Sequence, residues 1–213
     1  SPQVLHAGNY GVPESRERVI FIGIRKDALK EEIAQILKND LIPNHLNPYP
    51  QPTHNCTLND ETLATPVVLC DVLKQLKEPK ESFDPSQRFY SKAKYMGAHC
   101  QGQKEITMNS IGPTIRSEHH GNIEYRRLSL EHGGTNKNEL EKGLAERRLT
   151  PRECALIQTF PPDFQFVIPK DYDWKRFIVS ASGAYKVIGN AVPPILAYHI
   201  AMRIQNLWST YFK

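Results

Sequence analysis

Pro43, Pro48, Pro50 and Pro52 fall within ten residues of one another in DLIPNHLNPYPQPTH, the stretch from Asp40 to His54. Each proline removes a backbone donor and fixes φ, so neither a helix nor a central strand can run through this stretch. Regular structure that begins before it must end before it, and a domain boundary is expected at residue 40.

On the N-terminal side, Asn9-Tyr10-Gly11-Val12-Pro13 reads as a turn. Arg18 to Ile24 is apolar on both faces, the pattern of a central strand in a sheet covered by helices. Asp27 to Lys38 predicts a short helix, with Asp27 as N-cap and Ile33, Ile36 and Leu37 as its stripe. The order strand then helix indicates an α/β architecture. Beyond the prolines, Pro66 to Glu78 predicts a helix with Leu69, Val72, Leu73 and Leu76 inward, and residues 88–134 give only short β-prone pieces in an irregular region. Thr150-Pro151-Arg152-Glu153 has the form of a capping box with proline at the first helical position, which predicts a helix through Gln158. Phe160-Pro161-Pro162 ends it. Pro193 and Pro194 suit the first turn of a last helix, with Leu196, Ile200, Ile204 and Leu207 on one face up to about Trp208.

Charge and cysteine content narrow the function classes. The net charge of +4 is unevenly spread: residues 1–84 hold 9 Lys/Arg against 12 Asp/Glu, residues 85–153 hold 12 against 8, and residues 154–213 hold 6 against 3. A basic middle and end suit phosphate backbones. Cys56, Cys70, Cys100 and Cys154 stand far apart without a C-x-x-C, so neither a zinc site nor a disulfide framework is indicated. A reducing cytoplasm fits this usage, and no apolar stretch has the length of a bilayer span.

In NYGVPESRERVIFIG, the residues Arg16 and Arg18 share one face of an extended segment while Glu17 faces the other way. Two guanidiniums at the head of an apolar strand offer a fork to a base edge, a phosphate or a carboxylate; the alternative is a polar lead-in with structural salt bridges. Followed in order by RRLTPRECALIQTFPPDF (Arg147 to Phe164) and AYKVIGNAVPPILAYHIA (Ala184 to Ala201), this segment resembles the last three signature motifs of the cytosine-C5 DNA methyltransferases. The variable stretch between the first and second motif lies where that family carries its target-recognition region.

The resemblance implies the C-terminal part of a Rossmann-like catalytic domain with an inserted, small, irregular β-containing recognition domain. Residues 1–39 and 184–213 would belong to the catalytic domain and residues 40–183 to the recognition region. It implies a cytosine flipped out of double-stranded DNA, a cysteine thiolate adding at C6, a glutamate at N3, and methyl transfer to C5 from S-adenosyl-L-methionine. By the same resemblance Arg18 would hydrogen-bond the cytosine O2, and Arg16 would support that pocket and the nearby DNA backbone. Gly189, Asn190, Ala191 and Val192 would close the cofactor pocket, with the glycine allowing close approach. Within GPTIRSEHHGNIEYRR, the residues Arg116, His119, His120, Asn122, Arg126 and Arg127 are the candidates for base edges or phosphates. The adjacent histidines lack a third ligand at metal-site spacing. Arg152, Glu153 and Gln158 read as structural, with Glu153 pairing to an arginine, and Cys154 as a buried small apolar residue. Two positions depart from the family pattern, Glu14 in place of the usual Gln and Thr159 in place of the usual Gly.

The residues before the four cysteines are Asn55, Leu69, His99 and Glu153, so no Pro-Cys nucleophile motif is present; Glu-Asn-Val and F-x-G-x-G are missing too. The expectation is a partial enzyme of restriction-modification type, inactive until an N-terminal methyltransferase half supplies the cysteine and the glutamate. The other readings are a sequence-specific DNA-binding module without catalysis and a tRNA cytosine methyltransferase fragment.

Overall fold

The computed structural model describes residues 1–39, 41–117, 123–171 and 173–213. The elements in chain order are β1 (Gln3–His6), β2 (Glu17–Ile20), α1 (Glu31–Ile36), α2 (Leu69–Leu73), α3 (Pro85–Arg88), β3 (Tyr125–Arg127) and α4 (Lys137–Glu141). There follow β4 (Arg147–Arg148), α5 (Pro151–Ile157), β5 (Ile168–Lys170), β6 (Asp173–Val179), α6 (Ala181–Asn190), α7 (Pro194–Asn206) and α8 (Trp208–Tyr211). Among the described residues the strands form three two-stranded sheets, β1-β2, β3-β4 and β5-β6, all antiparallel. The fold is mixed α/β, and it divides into two compact units: a terminal unit of residues 1–12, 16–66 and 193–213, and a middle unit of residues 13–15 and 67–192.

In the terminal unit β1 pairs with β2 in the register Val4↔Val19, Leu5↔Arg18 and His6↔Glu17. Alternation puts Leu5 in the core and Val4 in solvent. The expected central strand over Arg18 to Ile24 is therefore corrected: the ladder ends at Ile20, and Val19 and Phe21 are 54% and 78% exposed, because a single partner strand covers one edge and no layer covers that face within the unit. Helix α1 is capped by Lys30 rather than by Asp27, whose carboxylate pairs instead with Arg25 at 2.8 Å. Two apolar clusters hold the unit: Leu196 of α7 with Ala7, Tyr10, Val12 and Tyr49, and Leu207 and Tyr211 with Leu29, Ile33 and Leu46.

The proline stretch is part of this unit, so the chain changes units at residues 66–67 and not at residue 40. Its prolines forbid a ladder, but its carbonyls still need donors. Arg203 supplies three bonds, to Asn44 O at 2.8 Å, His45 O at 3.1 Å and Asn47 O at 2.8 Å. Tyr10 donates to Pro50 O at 3.1 Å, and Tyr211 donates to Leu46 O.

The middle unit packs around α5 and α6, with Leu69, Leu73, Ile115, Ile123, Leu149, Ala155, Ile157, Ala184, Tyr185 and Ile188 buried together. The capping box of α5 forms as its sequence dictates: Thr150 Oγ accepts from Glu153 N at 3.0 Å and Glu153 accepts from Thr150 N at 2.9 Å. Thr159, just past this helix, adopts φ 65°, a left-handed conformation that costs a β-branched residue about 1–2 kcal/mol and glycine little. No helix among the described residues is long and apolar enough to cross a membrane.

Candidate functional site

Arg16 and Arg18 do not form a common fork. β2 starts at Glu17, so Arg16 lies one residue outside the strand with its carbonyl accepting from Ala7 N at 2.8 Å, and its side chain is buried. Arg18 stands in solvent, its guanidinium donating to Glu17 O at 2.6 Å. One arginine is thus built into the fold and the other is presented, beside exposed Val19 and Phe21.

In the middle unit the residues around Glu14 reach the segment from Gly112 to Ile115. Gly112 and Glu14 form a parallel bridge in which Gly112 N donates to Pro13 O at 2.9 Å and Ser15 N donates to Gly112 O at 2.8 Å. The Glu14 carboxyl is buried and accepts from Ile115 N at 2.6 Å, while Thr114 Oγ donates to Ser15 O. A carboxylate at position 14 therefore serves as a main-chain acceptor, a role that sequence reasoning missed because its partner lies 101 residues away.

Of the six DNA-contact candidates, His119, His120 and Asn122 lie outside the described residues. Arg116 is one-third exposed, its guanidinium 3.8 Å from the Glu124 carboxylate. Arg126 and Arg127 require correction. Both are buried: Arg126 pairs with Glu139 at 2.7 Å, and Arg127 pairs with Glu139 and with Glu78 at 2.9 Å and donates to Ala145 O at 2.8 Å. A guanidinium buried against two carboxylates and a carbonyl is turned away from solvent, and from a base, by its own ion pairs.

Those pairs belong to a larger buried array. Arg147 is held bidentately from both sides, by Glu153 at 2.9 Å and 2.9 Å and by Glu78 at 3.0 Å and 3.0 Å. Burial opposes the charge on Arg147, but Glu153 and Glu78 outweigh it and hold its pKa above the ordinary value. Burial likewise opposes the charge on Glu78, and Arg147 and Arg127 outweigh it, keeping that carboxyl below its ordinary value. Arg148 binds main chain instead, donating to Ala93 O at 3.2 Å, Gly102 O at 2.6 Å and Ile123 O, with its guanidinium 4.2 Å over the Tyr125 ring. The expected pairing of Glu153 with an arginine is that with Arg147.

At the end of α6, Asn190 and Val192 are exposed and Ala191 leaves the helix in an extended conformation. Gly189 is buried, and the room left by its missing side chain is filled by the backbone of Arg116 and Ser117. The close backbone approach expected at this glycine is made by the main chain of Arg116 and Ser117. Cys154 is fully enclosed, and burial, helped by Glu153 and Glu14, pushes its thiol well up. Burial also raises the Cys56 thiol. Neither has the depressed pKa of a nucleophile.

A sequence profile of the C-5 cytosine-specific DNA methylases matches residues 1–206. The Type II methyltransferase M.BspRI of Lysinibacillus sphaericus is 32% identical over 217 residues, covering 99% of this chain and 44% of that protein. M.FnuDI of Fusobacterium nucleatum is 27% identical, covering 96% and 54%, and M.BsuRI of Bacillus subtilis is 30% identical, covering 99% and 43%. The chain spans about half the length of the curated relatives it matches.

Proposed function

The chain belongs to the family of C-5 cytosine-specific DNA methylases, and from that premise we propose that its residues are the target-recognition and cofactor-closing part of a DNA (cytosine-5-)methyltransferase of restriction-modification type. Residues from the two ends of the chain would join a Rossmann-like catalytic domain into which the middle unit is inserted. An N-terminal half, in the same polypeptide or another, supplies the catalytic cysteine and glutamate. The observation that carries the reading is the contrast between the two motif arginines: Arg16 is built in and Arg18 is presented to solvent.

Arg18 donates to O2 of a cytosine extruded from the duplex, where negative charge gathers as a nucleophile adds to the ring. Arg16, buried at the head of β2, holds that strand in place. Arg116 reaches a base edge or phosphate from the recognition segment, and Glu14 fixes the main chain just before it. S-adenosyl-L-methionine, the family's methyl donor, supplies an electrophilic methyl group when bound. The residues present fit its amino-acid end: the exposed Asn190 amide can both donate and accept, and exposed Val192 and half-buried Ala191 offer apolar contact. The high thiol pKa values of Cys56 and Cys154 support a nucleophile drawn from outside these residues.

In the enzyme assembled with its N-terminal half, Arg18→Ala is expected to lower turnover by about a hundredfold, the scale of one lost oxyanion donor, with DNA affinity changed far less. Equal losses in turnover and affinity would remove Arg18 from the reacting base. Asn190→Ala is expected to weaken S-adenosylmethionine binding measured by calorimetry; an unchanged dissociation constant would take it out of the cofactor site.

A further inference from the structure

We infer that Gly189 and Glu14 are specificity-determining positioning residues, acting on DNA recognition by fixing the backbone that carries Arg116. The inference rests on the reading of Arg116 as a DNA contact. It gives Gly189, which the motif resemblance places in the cofactor pocket, a role in choosing the DNA site.

A Cβ on Gly189 would stand 2.2 Å from both the carbonyl carbon and the carbonyl oxygen of Arg116, and 2.3 Å from Ser117 N. All three obstacles are main chain, so no change of rotamer relieves the contact. Gly183 on the same helix differs: its Cβ would meet nothing nearer than a Val179 methyl at 3.4 Å. To restore ordinary contact at position 189, one of the two backbones must move by roughly 1 Å, the margin that separates a productive polar site from a loose one.

The helix is the fixed side. Ala184, Tyr185 and Ile188 of α6 lie in the core, and the Tyr185 hydroxyl donates to Leu149 O at 2.7 Å. The start of the recognition segment is fixed as well. Gly112 is bridged to Glu14, a Cβ on Gly112 would lie 2.8 Å from Leu69 Cδ2 and 3.0 Å from Pro13 O, and Ile115 N is held by the Glu14 carboxyl. Between these clamps the displacement falls on Arg116 and Ser117. The ion pair of Arg116 with Glu124 is long, at 3.8 Å, so the aim of the guanidinium follows its backbone more than its partner.

The test is a double-mutant cycle on the full chain. The wild type first selects duplexes from a random pool, and the enriched duplex is the probe. Arg116→Ala and Gly189→Ala are each expected to lose about tenfold in affinity for it, the discrimination of one bidentate base contact, with little change on unselected duplex. The double variant should lose no more than the weaker single. Losses that multiply, or Gly189→Ala binding as tightly as wild type, overturn the inference. Ile188→Val on the same helix is the folding control; if it loses preference as Gly189→Ala does, the effect is general loosening and the inference falls. Should Gly189→Ala fail to fold, Glu14→Ala takes its place in the cycle, and Glu14→Gln, which keeps an acceptor for Ile115 N, is expected to restore the preference; no rescue counts against the role. A wild type that enriches no sequence, or Arg116→Ala with undiminished preference, refutes the reading of Arg116 and the inference with it, an outcome distinct from additive losses.

Discussion

Apart from buried Arg16, the arginines of the terminal unit meet solvent, main-chain carbonyls or an exposed carboxylate, whereas those buried in the middle unit mostly meet carboxylates. In the terminal unit Arg18 is exposed on a short ladder, and Arg203 satisfies carbonyls of a proline stretch that cannot satisfy them itself. In the middle unit Arg126, Arg127, Arg147, Arg148 and Arg152 are buried, four of them against carboxylates and Arg148 against main-chain carbonyls. The stretch of residues 85–153, whose positive balance suggested a phosphate surface, keeps five of its twelve cations inside. Part of the basic composition therefore marks an irregular region with few ladder partners, where buried guanidiniums bind carboxylates and carbonyls.

The chain has two tryptophans, Trp174 in the middle unit and Trp208 in the terminal unit, so each unit can be followed separately in a Trp→Phe variant of the other. The largest difference is expected from Arg147→Ala. It leaves buried Glu153 with only the more distant Arg126 guanidinium at 3.8 Å and should destabilise the middle unit by about 3–5 kcal/mol, read as a shift of the Trp174 transition in urea while the Trp208 transition holds. A common shift of both would mean that the units unfold as one.

Acid should separate the units next. Burial, with His54 adding, lowers the pKa of His199, whose neutral ring packs near Tyr10 in the terminal unit. Its contribution is complete above the free value of 6.5 and is lost as pH falls from there through the lowered value. Glu78 has its folded pKa lowered too, but from an ordinary value of 4.5, so the middle unit should lose its contribution only as pH falls below about 4.5. The Trp208 transition is expected to weaken between neutral pH and 5 while that of Trp174 holds, and the reverse order would break the assignment.

A smaller effect is expected from Thr159→Gly, which relieves the left-handed backbone and should raise middle-unit stability by about 1 kcal/mol. A loss would mean that contacts of the threonine side chain outweigh the strain. Smallest of all, Arg18→Ala should alter the terminal unit by less than about 0.5 kcal/mol, as exposed substitutions do. A large loss of stability would make it a structural residue like Arg16.

What was legible in the sequence was local. The capping box at Thr150 and the prolines ahead of α7 announce their helices because their partners lie within a turn. Helix α6 was not legible: Gly183 and Gly189 each cost a helix interior about 1 kcal/mol and read as breaks, and packing on Leu149 and Arg116 overrides them. The fates of Arg126 and Arg127 were hidden for the same reason, since Glu139 and Glu78 lie 12 to 49 residues away and charge alone does not name a partner. The motif resemblance placed Arg18, Asn190 and Val192 where the structure leaves them accessible, but it gave no sign that Gly189 rests against Arg116.

We propose that these residues recognise and position a cytosine while the reacting sulfur comes from an N-terminal methyltransferase half. The direct test is transfer of labelled methyl from S-adenosylmethionine to duplex DNA by the chain alone, and by the chain mixed with an N-terminal polypeptide bearing the Pro-Cys and Glu-Asn-Val motifs. The expected result is no incorporation by either part and incorporation at cytosine C5 by the mixture. Methyl transfer by this chain alone would contradict it.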